Sequence, residues 1–181
     1  MKITQTIIKE VLIIEPDVFE DNRGWFIESY NKKKLAEAGI NTDFIQDNRT
    51  FTKKAGTLRG LHLQNKPFTQ AKLVTCTKGS VLDVAVDVRK NSPTYKKWAA
   101  IELSEKNKKQ IFIPRGFAHG FLTLIDNTEF EYKVDNGYDK SRERIVRFND
   151  PDIDIDWGNT EPILLERDRN APLLKDCDIN L

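Results

Sequence analysis

A period of two runs through most of the chain. In SVLDVAVDV (residues 80–88), Val84, Val86 and Val88 share one face, and Asp83, Ala85 and Asp87 share the other. In TEFEYKV (residues 128–134), Phe130, Tyr132 and Val134 lie opposite Glu129, Glu131 and Lys133. The segments TIIKEVLII, QAKLVTCT, WAAIEL, KQIFIP, AHGFLTLI and ERIVRFN predict further strands. Turn chemistry separates them at Lys78-Gly79, Asn91-Ser92-Pro93 and Asp135-Asn136-Gly137. Helical periodicity is sparse. It predicts one short helix over residues 31–38 with Asn31 as its cap, and another short turn after Pro162. Many short strands punctuated by turns predict an all-β sandwich or barrel. No repeat or linker divides residues 1–181, so a single domain is expected. Long connections are expected over residues 48–56 and 64–69. They flank strands rich in polar residues, as at a barrel mouth that holds a small ligand.

Composition narrows the function classes. Lys plus Arg total 29 and Asp plus Glu total 28 among 181 residues, a formal net charge of +1. That balance favours neither a nucleic-acid nor a membrane-surface partner. The opening MKITQTIIKE has no apolar signal core, and no stretch approaches the roughly 20 apolar residues of a span. A cytoplasmic protein is therefore expected. The two cysteines, Cys76 and Cys177, form no CxxC pair, and Cys76 in LVTCT reads as core. GxGxxG, GxxxxGK[ST] and GxSxG are all absent, which removes support for Rossmann, P-loop and α/β-hydrolase chemistry.

Candidate chemistry centres on the only two histidines, His62 in GTLRGLHLQ and His119 in IPRGFAHGF. A histidine in a β protein is commonly structural, but each of these has charged neighbours. Strict alternation from Arg59 onward puts Gly60, His62 and Gln64 on one face. Lys72 shares a strand face with Val74 and Cys76. It either snorkels to water from an edge or points inward and needs an anionic partner. Tyr132 is a core tyrosine or a buried general acid. Asp168, between Arg167 and Arg169, belongs to a solvated charge run or orients a histidine. Pro114-Arg115-Gly116-Phe117-Ala118-His119 matches the second metal motif of cupin barrels. The first motif is broken, because Gln64 stands where its second histidine belongs. No metal is expected, and a metal-dependent oxygenase is disfavoured.

Taken together, DNRGWFIESYN, FIQDNRTFTKKAGTLRGLHLQ, QAKLVTCTKGSVLDVAVDVRKNSPTYKKW, IPRGFAHGFLTL and APLL closely resemble the dTDP-4-dehydrorhamnose 3,5-epimerase family, from Val11 to Leu174. The resemblance implies a cupin-type jelly roll with a few short helices, a homodimer, and catalysis without metal or cofactor. The implied reaction inverts carbons 3 and 5 of a dTDP-4-keto-6-deoxyhexose. By motif, His62 takes the role of base, Lys72 faces the keto oxygen, Tyr132 is the acid and Asp168 partners the base. Substrate contacts carry over to Arg23, Glu28, Gln46, Asp47, Asn48, Arg59, His119, Glu143 and Arg167. Arg167 stands where the family has a lysine, and DNGYDKSRER replaces an aromatic-rich turn. These residue types suit the chemistry. A proton beside a ketone is weakly acidic, and its removal needs a near-neutral base, a cation at the oxygen and an acid on the other ring face. Three alternatives remain at this point: a 3-epimerase, a related ketoisomerase on the same scaffold, or a non-catalytic sugar-nucleotide-binding cupin.

Overall fold

The structure, a computed structural model, describes residues 1–158 and 161–181. Its strands are β1 (Lys2–Gln5), β2 (Leu12–Glu15), β3 (Val18–Asp21), β4 (Gly24–Ile27), β5 (Gln46–Thr52), β6 (Leu58–Gln64), β7 (Lys72–Lys78), β8 (Ser80–Asp87), β9 (Trp98–Ser104), β10 (Gln110–Ile113), β11 (Phe117–Thr123), β12 (Thr128–Val134) and β13 (Glu143–Ile145). Two short helices, α1 (Lys32–Glu37) and α2 (Glu166–Arg169), complete the regular elements with two single 3₁₀ turns. Two antiparallel sheets face each other, one ordered β1-β2-β10-β7-β12-β5 and the other β13-β6-β11-β8-β9. This is the all-β sandwich that the alternation predicts, in the jelly-roll form that the family resemblance implies.

The alternating residues sort onto these layers as their chemistry requires. Val74, Cys76, Val81, Ala85, Ile111, Phe121 and Phe130 fill the space between the sheets. Val84, Val86 and Val88 point the other way, yet they too are buried, under Val146, Ile153, Trp157 and Leu174 of the C-terminal segment. A third cluster packs Leu35 of α1 and Ile40 onto Ile14, Leu73 and Phe112. Cys76 and Cys177 are both buried free thiols. Asn31 caps α1 as expected, accepting from the Lys34 N–H at 3.1 Å.

Three expectations need correction, and one element was not foreseen. TIIKEVLII is not one strand. The chain turns at residues 6–11, where the Val11 N–H donates to the Ile8 carbonyl at 2.9 Å, and both side chains sink into the core. Residues 48–56 are not one long connection. QDNRTFT (residues 46–52) forms β5, paired along its length with β12. ERIVRFN keeps strand geometry only over β13. The charged segment at residues 18–27, unassigned above, forms a separate hairpin of β3 and β4.

Candidate active site

A cavity of about 240 Å³ opens into the space between the sheets, lined by Thr50, Arg59, His62, Gln64, Lys72, His119, Phe121, Phe130, Tyr132, Tyr138, Glu143 and Arg167, among others. The two sheets contribute different chemistry. Lys72 (β7) and Tyr132 (β12) come from the six-stranded sheet, and Arg59 and His62 (β6) with His119 (β11) come from the five-stranded one. A flat ring between them would meet a histidine on one side and a phenol on the other.

Strict alternation misplaces Arg59 and His62, and the pairing shows why. His62 lies opposite His119, while Arg59 lies opposite Phe121, so three steps along β6 match two along β11. This β-bulge rotates the strand and brings Arg59 to the face that carries His62. Glycine is required there. Gly60 has φ +139°, and a Cβ on it would sit 2.5 Å from the Gly120 Cα.

His62 is held from behind. Asp168, 1% exposed on α2, meets its Nε2 at 3.0 Å. A carboxylate only accepts, so Nε2 carries the proton and the lone pair of Nδ1 is left for chemistry. Burial pushes the Asp168 carboxyl up, but the His62 hydrogen bond and charge, aided by the Gly60 N–H and Arg167, outweigh it and hold the group below its ordinary value.

Lys72 points inward, which excludes snorkelling. Its expected anionic contact is replaced by an imidazole, with Nζ 3.3 Å from His119 Nδ1. Burial lowers the ammonium to about 8, against the opposing fields of Asp83 and Glu143. Nζ also lies 5.8 Å from the centroid of the Tyr132 ring. Burial raises the Tyr132 phenol, with Arg59 opposing and Glu143 reinforcing the shift. Arg59 reaches Thr52 Oγ1 at 3.3 Å, while its buried Nε and the nearby Thr50 Oγ1 have no partner among the described residues. At the mouth, Glu143 accepts from Arg167 at 3.1 Å and from the Tyr138 hydroxyl at 3.3 Å.

The donor set does not suit a divalent cation. Both histidines commit Nε2 to an aspartate, and the Lys72 ammonium occupies the remaining nitrogen of His119.

Other residues singled out from the sequence lie elsewhere. Gln46 and Asn48 occupy the rim end of β5, bonded to each other at 2.8 Å, on the face that carries Tyr132 through the Asn48–Tyr132 pairing. Asp47 points to the opposite face. There it pairs with Lys133 at 2.7 Å beside a separate hollow of about 340 Å³. Arg23 and Glu28 do not line the cavity within this chain. Arg23 pairs with Asp21 at 2.6 Å and Glu28 with Lys34 at 2.8 Å, all exposed. Sequence reasoning missed Thr50 and Asp83. Asp83 was the more detectable, as a carboxylate on the face of β8 that carries Ala85.

The family model described as dTDP-4-dehydrorhamnose 3,5-epimerase matches residues 5–176. The chain belongs to this family. It is 49% identical over 179 residues, 98% of each chain, to the dTDP-4-dehydrorhamnose 3,5-epimerase of Shigella flexneri. Among solved structures, the Bacillus anthracis dTDP-4-dehydrorhamnose 3,5-epimerase with TDP and pyrophosphate bound is 45% identical at a TM-score of 0.92, covering 95% of this chain and 98% of that one. The Legionella pneumophila epimerase in complex with dTDP-4-keto-L-rhamnose is 43% identical at 0.92, covering 96% and 93%. A 3'-monoepimerase from Streptomyces bikiniensis in complex with dTDP-quinovose is also similar, 33% identical at 0.87 with coverage of 94% and 87%. The family's cupin-type scaffold thus carries both double and single epimerases.

Proposed function

We propose that this chain epimerises carbons 3 and 5 of dTDP-4-keto-6-deoxy-D-glucose, giving dTDP-4-keto-L-rhamnose. The observation that carries the reading is a histidine–aspartate base and a tyrosine on facing sheets, with the Lys72 ammonium in the same cavity. His62 Nδ1 removes the proton next to the ketone. Asp168 stabilises the imidazolium that forms, as an aspartate does behind a hydrolytic histidine. The electron pair moves into the ring as an enolate, and Lys72 meets the charge growing on the keto oxygen. Tyr132 returns a proton from the opposite face, so the carbon inverts. Once His62 has released its proton to solvent and Tyr132 has regained one from it, the same cycle on the other side of the ketone gives the double epimer. Arg59, whose side chain lines the cavity, anchors anionic diphosphate oxygens through its guanidinium. His119, Glu143, Arg167, Gln46 and Asn48 shape the sugar and nucleotide ends of the cavity.

The active species on this reading is a homodimer. Phe19, Trp25 and Phe26 are 61%, 57% and 65% exposed on one hairpin, an apolar surface that a second copy would cover. Such a hairpin would carry Arg23 and Glu28 to the partner's cavity. Mixing inactive His62→Ala chains with inactive Arg23→Ala chains should restore turnover, because one hybrid site then has both residues. No recovery after subunit exchange would reject the arrangement.

Turnover of the 4-keto sugar in deuterated water, read by proton NMR, tests the reaction itself. Label at both carbons is expected. Label at carbon 3 alone would make the chain a 3-epimerase, and binding without label would make it a sugar-nucleotide-binding cupin.

A further inference from the structure

The catalytic reading leaves the carboxylate behind His119 without a task. Asp83 is fully buried on β8, and its Oδ2 accepts from His119 Nε2 at 2.9 Å. Its second oxygen, Oδ1, has no partner among the described residues. Fixing a ring alone would not need a charge, since a carbonyl or an amide accepts as well without the cost of burying an anion. The cation next in line is Lys72, on the far nitrogen of the same ring.

We propose that Asp83 is a positioning residue that acts through His119 to keep the Lys72 ammonium charged and directed at the substrate's keto oxygen. The proposal rests on the reading of Lys72 given above. Because the carboxylate only accepts, Nε2–H of His119 donates to it, and in a neutral ring Nδ1 then has a lone pair that accepts from Lys72. Burial, reinforced by Lys72, lowers the basicity of His119, while Asp83 acts in the opposite direction. An ion pair formed directly with a carboxylate would neutralise Lys72 just where the enolate must find it. One ring farther away, the same anion favours the ammonium and leaves its other hydrogens for the ligand. The remaining charged and titratable groups around Lys72 come from the other packed strands. They are Glu143 on β13, His62 and Arg59 on β6, and Tyr132 on β12. Glu143 also favours the ammonium but is shared with Arg167 and Tyr138, so Asp83 is the anion whose only side-chain partner among the described residues leads to Lys72.

Two measurements on the ligand-free protein test this without reference to catalysis. Nitrogen-15 NMR of the wild-type protein near neutral pH should show His119 as the neutral Nε2–H tautomer. An imidazolium or an Nδ1–H ring would overturn the proposal, whether or not any variant folds. In Asp83→Asn, the titration of the Lys72 amine, followed by its own NMR signal, should fall by about one pH unit or more from the wild-type value. The alkaline limb of kcat/KM should fall by the same interval, and Asp83→Glu should restore both. An unmoved Lys72 titration would reject the role of Asp83. Unchanged turnover in Lys72→Ala would instead reject the catalytic reading and leave the electrostatic chain intact.

Discussion

Replacing Asp168 by Asn changes one charge and almost no volume, so its effect on rate isolates what the carboxylate does for His62. The oxygen and Nε2 are 3.0 Å apart. At an effective dielectric of ~20, a unit charge at that distance stabilises an imidazolium by ~5.5 kcal/mol. His62 keeps 26% side-chain exposure at the cavity, which screens part of this. An asparagine oxygen retains a neutral hydrogen bond worth ~1 kcal/mol. A net loss of ~3–4 kcal/mol at the transition state follows, or about 10²–10³ in kcat. An asparagine amide can also donate to Nε2, which presents Nδ1–H to the substrate and removes the base outright. Because Asp168 does not line the cavity, KM should change little. The assay is steady-state turnover of the 4-keto sugar, with circular dichroism as the control for folding. A folded variant within about threefold of wild-type kcat, a difference of ~0.6 kcal/mol, would refute the dyad.

Further outcomes follow from the same interior. Lys72 loses its proton at about 8, so kcat/KM should fall as pH rises through that value. For stability the sign is opposite. The folded value lies below the ordinary 10.5, so the unfolded chain binds more protons between the two and the fold gains stability as pH rises across that window. Lys72→Met should therefore raise stability near neutral pH by roughly 1–3 kcal/mol in urea denaturation while abolishing turnover, and a destabilised variant would contradict this. Gly60→Ala places a methyl 2.5 Å from the Gly120 Cα at φ +139°. It should cost about 3 kcal/mol or more, and unaltered stability would mean that the bulge tolerates a side chain.

The sequence displays this fold wherever one face is apolar and the other is not. TEFEYKV is β12 with Phe130, Tyr132 and Val134 inward, as its alternation requires. β5 escaped notice because QDNRTFT is polar on both faces, one toward the cavity and one toward the Arg49 ion pairs with Glu129 and Glu131. The β3–β4 hairpin escaped because its aromatic residues are exposed within this chain. In the site, His62, Lys72, Tyr132 and Asp168 were legible through the family motifs and meet in or behind one cavity. Their geometry was not legible. A bulge at Gly60 adds one residue to the count and moves Arg59 to the face of His62, which no period-two pattern reveals. Asp83 was visible as one member of an alternating face. Only the fold shows that this face is the interior and that a histidine leads from it to Lys72.

Exchange of the carbon-bound protons of the 4-keto sugar with deuterated water, followed by NMR in the wild type, His62→Ala and Tyr132→Phe, reports most directly on the division of labour between base and acid. His62→Ala should retain its fold and lose exchange at carbons 3 and 5 together. Tyr132→Phe should keep exchange and lose inversion at carbon 5. A folded His62→Ala protein that exchanges both positions near the wild-type rate would contradict the account.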